Sequence, residues 1–259
     1  MGTQFIVGGD ARSQLGSWRA APSEDGLKGV FFLGQSLASS VVNRAKGASG
    51  NAAVFGAPAV NAYSMNLHTG VDYLELPILD TPRMTAIIVG RAIGTPTADA
   101  ATRPVFLGTT ESGNRGFNVY VGTPAPGQQL GVNAYRELIA DGSSLGASNA
   151  GNAVADINRM RCMIAYSNVD SGGQFTVLGL ADMTGTGGGS GADLVQNTID
   201  TGFKRVAGAP LRIGGGPSSF GGMSEICMVA IYDRMVAADE RAAWYATLLS
   251  LYAGWGVSI

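Results

Sequence analysis

Charge is scarce in this chain. Only 14% of its 259 residues are Asp, Glu, Lys or Arg, and 17 basic against 19 acidic side chains leave a formal net charge of −2. Arg159 and Arg161 are the densest basic pair, so the positive field on which nucleic-acid binding relies is missing. Long apolar runs are missing too. Residues 30–33 and 86–89 fall far short of the ~20 residues of a membrane-spanning helix, and no membrane insertion is expected. The start, Met1-Gly2-Thr3-Gln4-Phe5-Ile6, has neither the charged nor the long apolar region of a signal peptide. Ile6 stands where a myristoylation motif needs Ser or Thr. A single histidine, His68, excludes His-rich zinc sites and reads as a turn or surface residue rather than a ligand. The two cysteines, Cys162 and Cys227, lie in apolar strand-like runs. They read as buried reduced thiols or as a bridge between neighbouring strands, and spacing does not choose between these. No Asn-x-Ser/Thr sequon occurs.

What the chain has is glycine, 39 residues of it, together with 46% apolar residues. Disorder goes with low hydrophobicity and high charge, so these glycines indicate many tight turns between short strands. Leu74 and Leu76 alternate with Val71, Tyr73 and Glu75, the period of a half-buried strand. Residues 84–89 are apolar on both faces, as in a central strand. Phe117, Val119 and Val121 share one face of the next run, and Leu130, Val132 and Ala134 share one face of the run after a turn at 124–127. Further strands are expected at 162–166, 175–180, 211–214 and 226–232, with a turn at 170–173 and a flexible surface loop at 185–191. One helix is expected over about 238–252, with Trp244, Leu248 and Leu251/Tyr252 on one stripe and Asp239 and Glu240 in the first turn. Gly254 is placed to end it. Residues 1–28 read as an arm, disordered or pinned onto the domain or a partner, and 29–259 as one domain.

Three stretches carry a family resemblance. Gly70-Val71-Asp72-Tyr73-Leu74-Glu75-Leu76-Pro77 followed by Met84-Thr85-Ala86-Ile87 is the first, and Gly116-Phe117-Asn118-Val119-Tyr120-Val121 the second. The third runs from Leu211-Arg212-Ile213-Gly214 through Phe220-Gly221-Gly222-Met223-Ser224-Glu225-Ile226 to Ile231-Tyr232-Asp233-Arg234 and Asp239-Glu240. Together they resemble the concanavalin A-like/laminin-G group over roughly 29–250. The fold implied is all-β: a two-sheet antiparallel jelly-roll sandwich with an N-terminal arm and one C-terminal helix. Two departures stand out. The usual Trp is absent near Met160, and Met235-Val236 replaces the Leu after Arg234.

The catalytic patterns this fold can host are not found. Its glucanases carry Glu-x-Asp-x-x-Glu on one strand, which does not occur here. Asp72 and Glu75, three apart, would face opposite sides of a strand. Gly142-Ser143-Ser144-Leu145-Gly146 has the nucleophile-elbow spacing but lacks a downstream His, and a Gly- and Asn-rich loop is expected after it. Residues 187–192 mimic a dinucleotide loop with no following helix. A lectin site fits better. Asn118, Tyr120, Asn133 and Tyr135 fall on the strand faces opposite the core, where an aromatic platform and short amides suit sugars; their plainer reading is as ordinary solvent-facing residues. Calcium is compatible with such a site, but no metal ligand is assignable. The resemblance implies a non-enzymatic virion or surface protein, of the kind found as tailed-phage components. It would bind a host polysaccharide or act as a capsid or tail decoration protein. Its expected partners are other virion proteins through the arm or the C-terminal helix, as a homo-oligomer, in virions assembled in the host cytoplasm. The rivals are a carbohydrate-active enzyme and a bacterial adhesion module.

Overall fold

The computed structural model describes residues 21–48, 50–109, 115–122, 128–184 and 194–259. The expected turn at 124–127 and loop at 185–191 lie outside them, as do residues 1–20 of the arm. Among the described residues, sixteen strands, numbered in chain order, form two antiparallel sheets packed face to face. The first sheet runs β13 (Leu194–Thr198), β12 (Phe175–Asp182), β11 (Arg161–Val169), β6 (Met84–Ile93), β16 (Met223–Tyr232), β4 (Met65–His68) and β3 (Ala59–Val60), with β1 (Leu27–Phe32) also paired to β16. The second runs β10 (Ser144–Val154), β9 (Gln128–Leu138), β8 (Phe117–Gly122), β7 (Val105–Gly108), β15 (Pro210–Ile213), β5 (Tyr73–Leu79) and β2 (Ala53–Phe55), with β14 (Phe203–Arg205) on β9. Among the described residues there are also a one-turn helix α1 (Leu37–Ser40), a 3-10 turn at Ala100–Thr102 and the C-terminal helix α2 (Ala238–Gly254). Among the described residues, no helix is long and apolar enough to cross a membrane.

The inter-sheet core is what the alternation in sequence predicts. Leu74, Leu76, Phe117, Val119, Val121, Leu130, Val132 and Ala134 meet Met84, Ala86, Ile88, Met163, Ala165, Val229 and Ile231 from the facing sheet. Strands β6, β11 and β16 are apolar on both faces because a second core covers their outer side. There Val30, Ile87, Val89, Cys162, Ile164, Met228, Ala230 and Tyr232 pack beneath Trp244, Leu248 and Tyr252 of α2. A bulge between Ile226 and Met228 shifts the register and lets the consecutive Cys227 and Met228 both join this outer core. Both cysteines are free and buried.

Helix α2 begins as its acids predict, with Glu240 accepting from Ala237 N at 2.9 Å. It continues through Gly254 to a cap at Trp255. The same glutamate takes a two-pronged hydrogen bond from Arg234, at 2.8 and 2.6 Å. Arg234 also donates to Asp25 O and Ser23 Oγ. Residues 21–26 are therefore pinned to the domain, and β1 takes in Leu27 and Lys28.

A sequence expectation is overturned here. The stretch after Gly142 is not a loop; from Ser144 it forms the eleven-residue strand β10, in register with β9 from Gly146↔Arg136 to Val154↔Gln128. Its inward positions include the small side chains of Ser148 and Ala150, so alternation is faint in the sequence. The backbone ladder to β9 supplies what side-chain propensity does not.

Candidate binding face

The two sheets differ in what covers their outer sides. The first is closed by α2 and its apolar core. On the second, the outward positions of β8, β9 and β10 form short rows across the strands. The registers place Asn118 beside Asn133 and Asn133 beside Asn149. One step along, Tyr120 stands beside Gly131 and Gly131 beside Gly151. On the other side of the amide row, Tyr135 lies beside Ala147. Same-face rows are roughly 6.8 Å apart and strands about 4.8 Å apart, so the row of amides is flanked by one tyrosine on each side.

All four residues singled out from the sequence are therefore on this face, but they are not equally open. Asn118 was expected to face solvent and is instead 2% exposed. Its Oδ1 accepts from Thr109 N at 3.0 Å, and its Nδ2 donates to Asn133 Oδ1 at 2.9 Å. The backbone donor fixes which end of the Asn118 amide is oxygen, and that in turn fixes Asn133. Asn118 thus positions Asn133, whose Nδ2 has no partner among the described residues. Asn133 and Tyr135 are half-buried, and Asn149 is exposed.

Tyr120 lies over Gly131. A Cβ on that glycine would stand 2.9 Å from Tyr120 Cζ, so only glycine lets the ring settle onto β9. Gln129 lies in the same way over Gly151. A loop after β15 crosses nearby, tied to β7 through Gly214 N to Phe106 O at 2.9 Å and to the segment before it through Gly222 N to Arg103 O at 3.1 Å. It brings Phe220 edge-on to Tyr120, centroids 5.4 Å apart, with Arg103 5.3 Å over the Phe220 ring. Burial pushes the Tyr120 phenol above its usual range; Arg103 opposes this and Tyr135 adds to it. Sequence reasoning missed Phe220, Gln129 and Asn149. Asn149 sits on the unrecognised strand, and Phe220 reaches the face only through tertiary folding.

A second feature occupies the far end of the same sheet. Phe55 and Tyr73 stack with centroids 4.7 Å apart and planes 10° apart, and Arg212 lies 4.8 Å over Tyr73. Arg212 also pairs with Glu75 at 2.6 Å. Two of the stretches carrying the family resemblance thus meet in one ion pair.

The carboxylates weighed as catalytic groups have structural partners. Asp72 accepts from Ala57 N at 2.7 Å, and Glu75 holds Arg212. His68 ends β4 and closes a tight turn with Asp72 through the backbone. Among the described residues, no three His, Cys, Asp or Glu side chains gather to hold a metal ion.

No family model matches the chain, and no curated protein matches it. Solved structures do match. The binding domain of botulinum neurotoxin DC in complex with SialylT superposes with a TM-score of 0.60 at 8% identity, covering 87% of this chain and 52% of that one. The receptor binding domain of a botulinum neurotoxin C/D mosaic serotype gives 0.60 at 10%, covering 88% and 52%. The botulinum neurotoxin serotype C1 binding domain gives 0.58 at 8%, covering 87% and 52%. The chain spans about half the length of these structures, and the likeness at this identity is one of fold.

Proposed function

We propose that this protein is a non-enzymatic, lectin-like binding module that takes carbohydrate on the outer face of β8, β9 and β10. The observation that carries the reading is the amide row flanked by Tyr135 on one side and, on the other, by Tyr120 settled over Gly131, on the sheet that α2 leaves uncovered. Sugars are bound by apolar ring faces against aromatic groups together with a few fixed polar groups. Solved neighbours described as receptor binding domains support the reading by fold. In its finer form the protein is a tailed-phage virion component whose ligand is a host-surface polysaccharide. It works as a homo-oligomer held to other virion proteins through the arm or α2.

The test is binding of fluorescently labelled protein to bacterial cells and to a panel of extracted polysaccharides, with and without calcium. Saturable binding that falls about ten-fold in Tyr135→Ala, or ~1.4 kcal/mol, supports the reading. Saturable binding untouched by Tyr135→Ala and Asn149→Ala would move the site to another face. New reducing ends released from any polysaccharide would favour an enzyme.

A second reading, a decoration protein that binds only its own virion, is favoured by the exposed side of α2. No charged residue occurs from 242 to 259, and Leu249 is 37% exposed there. Absence of binding to every cell and glycan, with retention on the virion, would select it.

A further inference from the structure

We infer that the ligand of the β8–β10 face is an uncharged glycan, recognised through hydroxyl or acetamido groups rather than through an acid. This deepens the proposed carbohydrate role and rests on it.

The argument starts from the chemistry of the face. Asn133, Asn149 and Gln129 each offer an amide donor and an amide acceptor, and Tyr120 and Tyr135 offer phenols and ring faces. A hydroxyl is likewise both donor and acceptor, and so is an acetamido group taken whole. A carboxylate is an acceptor alone, so half of the polar capacity of this face would meet it with like polarity. The orientation imposed on Asn133 by Thr109 N and Asn118 presents both polarities side by side, Oδ1 already shared and Nδ2 outward. Asn149 extends the row by one strand; its Nδ2 reaches only Ala147 O of its own strand, at 3.3 Å.

The charges bordering the face point the same way. Glu137 is on the outer face one step beyond Tyr135 and pairs with Lys204 at 2.9 Å. Glu75 and Arg212 neutralise each other at the far end of the sheet. Arg103 lies over Phe220 and donates to Ala98 O at 3.3 Å. Arg115, exposed just before Gly116, has no described anionic partner, and it is on the loop rather than in the rows. A site built for an acid would place an arginine fork where the amides stand.

The experiment is a paired glycan panel in which each neutral oligosaccharide is matched by its sialylated or uronic acid counterpart. Binding is read at low and high salt for the full chain and for Asn149→Lys, Asn149→Asp and Arg115→Ala. The expected result is binding to neutral members, changing about two-fold or less between low and high salt because no ion pair is there to screen. Asn149→Lys and Asn149→Asp should then weaken binding alike, since both remove the amide and the sign of the added charge is irrelevant. Preference for the acidic members, steep loss with salt, gain in Asn149→Lys and loss in Asn149→Asp or Arg115→Ala would overturn the inference while leaving carbohydrate binding intact. No binding to either set would overturn both. Asn149 is exposed, so these variants are expected to fold, and unchanged urea midpoints verify it.

Discussion

Asp80 and Arg205 give the sharpest quantitative test of how the domain is held together. Both side chains are fully buried, and Arg205 Nη2 donates to Asp80 Oδ2 at 2.8 Å. The other oxygen, Oδ1, accepts from Gly208 N and Ala209 N at 2.7 Å each. Arg205 stands 5.6 Å from the Phe117 ring, and its Nε and Nη1 have no partner among the described residues. The pair ties the link between β5 and β6 to the segment after β14. Asp80→Asn keeps an acceptor for the two backbone donors but leaves the guanidinium uncompensated in a dry site. Removing one member of a buried pair costs about 3–5 kcal/mol. Arg205→Met fills similar space with apolar atoms yet isolates the carboxylate, and a loss toward the lower end of that range is expected, because two N–H groups still hold it. The double variant has no charge to bury and should lie within about 2 kcal/mol of the parent. The coupling between the sites is then at least ~4 kcal/mol. Urea unfolding followed by tryptophan fluorescence and far-UV circular dichroism reads all four proteins, with unchanged m-values as the check on two-state behaviour. If the double variant loses the sum of the two single losses, the pair is not coupled and this reasoning fails.

Three further outcomes are expected. Gly131→Ala brings a Cβ to 2.9 Å from Tyr120 Cζ, against an ordinary carbon contact of about 3.5–4.0 Å. The ring must lift, so glycan affinity should fall about ten-fold while stability stays within ~1 kcal/mol, the lost contact being offset by the lost freedom of glycine; unchanged affinity in a titration would remove Tyr120 from the site. Glu240 is drawn from 4.5 to about 2, first by its hydrogen bonds from Arg234, so it stabilises the fold above its ordinary range and that contribution disappears as pH falls from about 4.5 toward 2. Glu240→Gln should flatten the acid limb of a stability–pH profile by on the order of 1 kcal/mol, after allowance for solvent screening, and an unaltered limb would show that the pair contributes nothing. Burial pushes the Cys162 and Cys227 thiols far above their usual range, so a thiol reagent should label neither in the native state and both in urea; fast native labelling would contradict the outer core under α2.

The fold was legible where burial writes a period into the chain. Leu74 and Leu76 face inward, as do Phe117, Val119 and Val121, and Trp244, Leu248 and Tyr252 line the buried side of α2. Strands β2 and β3, of three and two residues, are too short to show a period. Strand β10 is long enough, but its inward side chains are too small to stand out from its outward ones. The candidate face was legible only by elimination: Tyr120 and Tyr135 were visible as outward positions on strands whose inward positions were apolar. Sequence could not show that Asn118 is sealed in by Thr109 and Asn133, because burial of an outward residue depends on what crosses above it. Nor could it show Phe220 against Tyr120, a contact between residues a hundred positions apart in the chain.

The hydroxyl of Tyr232 donates to Ser23 O at 2.7 Å and accepts from Trp244 Nε1 at 2.8 Å, which fastens the entering segment and the final helix to one point on β16. Ala21 and α2 therefore lie on the same side, behind the first sheet. A body anchored there would hold the protein like a lamp on a bracket, with the face of β8, β9 and β10 turned away from the mount and toward whatever approaches.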